Sequence, residues 1–190
     1  MKKIALTALA VMAVVGVFAI QPVDAKKVEQ DPVMTPIEMP MNDEIQQVNG
    51  VSKSTNQETR RLSNNLAQAT KVMIKKNWKI IYIKAVPMGD KDAVRFYYKD
   101  NRGQVYNGQV IRNTGLSKSK YMAGSLRQIE ALQELVHHLQ QNGQEVPSSI
   151  DIIITQEGYR IKTIFNYNEN IGNLPAYQQQ YEQENFPTMK

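Results

Sequence analysis

The sequence predicts an α+β domain, and three observations carry that expectation. Two long stretches have apolar residues at helical spacing. Between and after them lie runs rich in Ile, Val and Tyr that alternate every two residues. These runs are joined by short turns, as a three-strand meander and then a hairpin, with no βαβ rhythm, so the sheet should be antiparallel.

The first helix is expected from about Ser54 to Asn77. Leu62, Leu66, Ala69 and Met73 form one stripe, and Thr55 with Glu58 has the spacing of a capping box. Trp78 to Val86 reads as a strand closed by Pro87-Met88-Gly89-Asp90. Ala93 to Lys99 alternates, with Val94, Phe96 and Tyr98 on one face and Arg95, Tyr97 and Lys99 on the other. Asp100-Asn101-Arg102-Gly103 is turn chemistry, after which Gln104 to Ile111 completes the meander. Ser117 to Gln141 is the second helix, with Met122, Leu126, Ile129, Leu132, Val136 and Leu139 expected to face the core. Asn142-Gly143 stops it. Ser149 to Gln156 and Tyr159 to Tyr167 form the hairpin around Glu157-Gly158, and a short helix follows from Pro175 to Glu184. The sheet therefore has about five strands, between an N-terminal and a C-terminal helix.

Two segments precede this domain, which spans residues 53–187. Residues 1–25 have the pattern of a signal peptide. Lys2 and Lys3 lead an apolar run from Ile4 to Ile20, and Val23-Asp24-Ala25 puts small residues at −3 and −1 of a cleavage site. The run has 17 residues, at the lower limit for a membrane span. Cleavage before Lys26 would release a non-spanning product to the periplasm or the exterior. Residues 26–52 are expected to be a flexible spacer, because Pro32, Pro36 and Pro40 each remove a backbone donor and restrict the preceding residue.

Composition narrows the chemistry. The 190 residues include no Cys and two His, so disulfides, thiol nucleophiles and Cys-based zinc sites are excluded. No Gly-rich phosphate loop and no G-x-S-x-G elbow occurs. Glu134 and His137 stand at i, i+3 on a helix, but a di-metal bundle needs two such pairs. Asp90 and Asp92 sit in a turn, where Asp is favoured for backbone reasons. No catalytic residue, cofactor or metal is called for, and the protein is expected not to be an enzyme.

Charge is segregated along the chain. Residues 71–120 hold 12 basic and 3 acidic groups, a net of +9, whereas residues 121–190 hold 4 basic and 8 acidic groups, a net of −4. The basic segment allows one reading as an envelope-associated or periplasmic module that meets an anionic ligand through Lys79, Lys84, Arg95, Lys99 and Arg102. Tyr82, Tyr97, Tyr98 and Tyr106 interleave with these cations, as in single-strand nucleic-acid binders. Strands favour Tyr in any case, and the export signal argues against a nucleic-acid partner.

Several segments together resemble one family. They are Asn77-Trp78-Lys79-Ile80-Ile81-Tyr82, Arg95-Phe96-Tyr97-Tyr98-Lys99, Gln141-Asn142-Gly143-Gln144-Glu145 before a strand, and Glu157-Gly158-Tyr159-Arg160-Ile161-Lys162. In this order and spacing, from about Asn65 to Pro187, the chain resembles the YezG-like immunity proteins. The resemblance implies a non-enzymatic protein that neutralises a cognate bacterial toxin, often a nuclease, by tight binding. It carries over no catalytic residues. The leader and the basic middle depart from the family pattern, and the leader points to a toxin met outside the cytoplasm. An inhibitor needs aromatic anchors and satisfied polar contacts. On that basis Glu157, Tyr159, Glu169, Tyr177 and Tyr181 are the candidate partner contacts, with acidic groups placed to steer a basic toxin.

Overall fold

The computed structural model describes residues 44–48, as backbone, and residues 57–189. The calls for a signal peptide at 1–25 and for helix capping at Ser54 or Thr55 lie outside the described residues. In chain order the elements are β1 (Glu44–Val48), α1 (Gln57–Lys71), β2 (Ile80–Val86), a 3-10 turn (Gly89–Lys91), β3 (Ala93–Lys99), β4 (Val105–Asn107), α2 (Ile111–Thr114), α3 (Lys118–Gln141), β5 (Ser149–Thr155), β6 (Arg160–Asn166) and α4 (Leu174–Asn185).

The strands form one sheet in the order β1-β6-β5-β2-β3-β4. β2 to β6 pair antiparallel, as the meander and hairpin require. β1 adds to the outer edge of β6 in parallel, within the stretch the sequence assigns to the spacer. The meander is shorter than expected at its end. Asn107-Gly108 is a turn pair, and Asn107 Oδ1 accepts the Gln109 N–H at 2.8 Å. The strand expected to run to Ile111 therefore stops at Asn107, and the chain enters the one-turn helix α2.

The sheet has two differently furnished faces. Ile81, Ile83 and Ala85 of β2, Phe96 and Tyr98 of β3, Ile150, Ile152 and Ile154 of β5, and Ile161, Thr163 and Phe165 of β6 share one face by register. All are 2% exposed or less. α1 and α3 cover this face and pack on each other. The expected α1 stripe of Leu62, Leu66, Ala69 and Met73 is buried. α1 and α3 pack along their length, and just past the end of α1 Met73 sits against Gly124, where a Cβ would stand 2.9 Å from Met73 Cγ. Between them Gln128 Nε2 donates to Thr70 Oγ1 at 2.8 Å, so the two buried polar groups satisfy each other. α4 lies across the opposite face, where Phe186 packs on Tyr82 and Tyr97.

α3 has its expected ends, with Ser117 Oγ accepting the Lys120 N–H and Gly143 at φ 61° just past the helix. Its orientation about its own axis corrects the sequence reading. The buried residues are Tyr121, Gly124, Gln128, Ala131, Leu132, Leu135 and Leu139. Met122 and Leu126, expected in the core, are 55% and 63% exposed, and Ile129 and Val136 are half-buried. The apolar arc of α3 is wider than the one stripe a core contact consumes, and the helix turns its Leu132–Leu139 edge inward.

Candidate partner-binding surface

The α4 side of the sheet carries an ionic cluster. Lys84, in the middle of β2, stands opposite Asp151 of β5 and Arg95 of β3. It is 4% exposed. Its Nζ lies 3.0 Å from Asp151 Oδ2 and 3.6 Å from Glu169 Oε1. The rings of Tyr181 and Tyr177 flank it, with centroids 5.0 and 5.5 Å from Nζ. Burial alone would lower the lysine pKa. Asp151, then the Tyr177 hydroxyl and Glu169, outweigh it and hold the pKa above its ordinary value.

The carboxylates are themselves held. Asn166 Nδ2 donates to Asp151 Oδ2 at 2.6 Å, and the Tyr177 hydroxyl donates to Glu169 Oε2 at 2.8 Å. The Ser149 hydroxyl donates to the same Glu169 oxygen. A second knot lies beside it. Glu182 Oε1 accepts from the Tyr97 hydroxyl at 2.8 Å, from Arg95 Nη1 at 3.2 Å and from Asn107 Nδ2 at 3.4 Å. Burial, then the Tyr181 proximity to Asp151 and Tyr97, pushes the Tyr181 phenol up, and burial with the Glu182 contact does the same for Tyr97. The cluster is a clamp that fixes α4 to the sheet. Its lysine is a charged, paired ammonium, not a free base.

These contacts divide the candidate residues. Glu169, Tyr177 and Tyr181 are half-buried and directed into the clamp. Glu157 and Tyr159 lie apart from it in the β5–β6 turn, and Tyr159 reaches towards α1. Glu157 is exposed, while Tyr159, at φ 42°, places its hydroxyl 2.5 Å from Gln68 Nε2 and 3.2 Å from Lys71 Nζ of α1. The five residues do not form one patch. The basic set divides too. Lys84 and Arg95 are committed to carboxylates, whereas Lys79, Lys99 and Arg102 gather at the far end of the sheet, where the Lys79 N–H donates to the Lys99 carbonyl at 2.7 Å. The meander tyrosines serve packing. Tyr97 and Tyr98 are buried on opposite faces, and Tyr98 stacks on Tyr106 at 5.0 Å.

A surface that sequence reasoning missed lies on α3. The exposed side chains of Met122 and Leu126 are one turn apart, and Ile129 leads from them into an open groove of about 580 Å³. Met88, Asp90, Asp92, Val136 and Val146 line this groove between α3 and the β2–β3 turn. Asp92 Oδ1 caps the turn by accepting the Met88 N–H at 2.7 Å. The signal for this surface was present as an apolar arc too broad for one buried stripe. Among the described residues no group of three or more His, Asp or Glu side chains converges as metal ligands, and no helix is long and apolar enough to cross a membrane.

No curated protein matches the chain. A family profile described as Immunity protein YezG-like matches residues 59–189, from the first turn of α1 to the end of the described chain. The protein belongs to the YezG-like immunity protein family.

Proposed function

We propose that this protein is a non-enzymatic immunity protein that binds and neutralises a cognate bacterial toxin outside the cytoplasm. The observation that carries the reading is the family match over residues 59–189, nearly the whole folded domain. Two features support its finer parts. Under α4 the Lys84 ammonium is paired with Asp151 and Glu169, which supports a structural role for this charged region. The leader pattern at residues 1–25 supports action beyond the inner membrane. A nuclease is the first toxin class to test.

The experiment pairs the full chain with the product of the gene adjacent to its own, tested as the candidate toxin. Cells that receive the toxin from outside should survive when they express the full chain and die when residues 2–25 are deleted. The purified chain, started at Lys26, should co-purify with the toxin at one-to-one stoichiometry. Absence of a complex overturns the immunity reading. Equal protection with and without the leader overturns its extracytoplasmic part.

A further inference from the structure

α3 carries more apolar surface than the core uses. Leu126 at 63% exposure points almost directly away from the buried Leu132, Leu135 and Leu139, and Met122 at 55% lies beside it. Removing the exposed part of these side chains from water is favourable, and a monomer leaves that stabilisation unused. Such exposed stripes mark interaction sites. We propose that the outer face of α3, with the groove beside the β2–β3 turn, is the docking surface for the toxin, and that it receives a toxin segment whose apolar side chains are flanked by lysine or arginine. This assignment rests on the immunity reading.

The chemistry of the occupant follows from the lining. Met88, Ile129, Val136 and Val146 supply the apolar wall. The charged groups lining the groove are Asp90 and Asp92, both carboxylates, and Lys91 between them does not line it. Along the stripe itself the exposed charges are mixed, with Glu130 one turn after Leu126 but Arg127 beside it and Lys118 one turn before Met122, so the acidic side is the groove. An apolar stripe that leads into a groove lined by two carboxylates is complementary to an apolar anchor followed by cations. The stripe would supply affinity and the carboxylates would steer encounter. α3 is a regular helix of 24 residues seated on the core, so the surface is preformed and little ordering opposes binding.

Binding of the adjacent gene's product, as the candidate toxin, to the chain started at Lys26 tests this by titration calorimetry, with oligomeric state measured by light scattering. Leu126→Asp should weaken binding at least 30-fold while the thermal midpoint stays at the wild-type value. Asp90→Lys with Glu130→Lys should slow association at least 5-fold at low salt, with the loss shrinking at high salt. Gln179→Asp, exposed on α4 across the sheet, should bind as wild type. Wild-type affinity in Leu126→Asp overturns the docking surface while leaving the immunity reading standing. So does a dimer that Leu126→Asp dissociates without change in toxin affinity, which would make the face a contact between two copies of this chain. No binding by the wild-type chain overturns the immunity reading and this surface with it.

Discussion

The two faces of the sheet solve the same problem with opposite chemistry. Under α1 and α3 the contact is dry, built from Ile81, Ile83, Phe96, Ile150, Ile152 and Ile154. Under α4 it is ionic, built from Lys84, Asp151, Glu169, Arg95 and Glu182 within a ring of tyrosines. A dry contact is worth the volume it fills and tolerates changes of shape by small steps. An ionic contact has little net worth when intact but is costly when halved, because desolvated charge is left without a partner. The dry layer should therefore set overall stability, and the ionic layer should set where α4 docks and with what register.

The largest expected effect would break this contrast if it failed. Lys84→Met leaves Asp151 and Glu169 facing each other without a cation and should cost about 3–5 kcal/mol in urea unfolding. The triple change Lys84→Met, Asp151→Leu, Glu169→Gln should recover most of that loss. If the triple variant is as unstable as the single one, the clamp is a net source of stability and the contrast is wrong. On the dry face, Ile152→Ala should cost about 2–5 kcal/mol, scaling with the cavity left. No compensating change at a charged neighbour should restore it.

Alkaline pH should loosen both faces. Burial, then Tyr106 and Asp100, pushes the Tyr98 phenol from its ordinary value of 10.0 up to about 12. Its hydroxyl donates to the Asn113 carbonyl at 2.7 Å. Since the folded value is the higher one, the neutral phenol stabilises the fold fully below the unfolded value, and this is lost as pH rises through the folded value. The raised Lys84 ammonium acts in the same direction, with its contribution beginning to be lost above its ordinary value of 10.5. Unfolding free energy should fall from about pH 10 upward, and Tyr98→Phe should flatten the first part of that fall. The smallest effect is sought in Tyr177→Phe, which removes one hydrogen bond to Glu169 and should cost about 1 kcal/mol while leaving the far-ultraviolet dichroism unchanged.

How much of this the sequence disclosed differs by layer. The dry face was legible, since alternation from Ala93 to Lys99 assigns Phe96 and Tyr98 to one side from local period alone. The ends of α3 were legible from Ser117 and Gly143, which act through their own backbone neighbours. The clamp was not, because Lys84 and Asp151 meet only through the β2–β5 register, across 67 positions of sequence. The sequence therefore suggests outward contacts at Glu169, Tyr177 and Tyr181, whereas their side chains are half-buried and turn into the clamp. The phase of α3 was hidden for another reason. Tyr121, Leu132, Leu135 and Leu139 form one stripe and Met122, Leu126 and Ile129 an adjoining one, and only tertiary contacts, such as Met73 on Gly124 and Thr70 with Gln128, decide between them.

The parallel seating of β1 has a consequence for how the chain is made. Glu44 pairs with Lys162, 118 positions later, so the first of the described strands waits for the last. Until Arg160–Asn166 has emerged, the sheet lacks both members of its outer ladder, and afterwards a seven-residue border stays open unless β1 closes it. Open borders of that length recruit other chains. The short strip at 44–48 thus acts as a selvedge, and a molecule shortened past Val48 should begin to knit to its neighbours along β6.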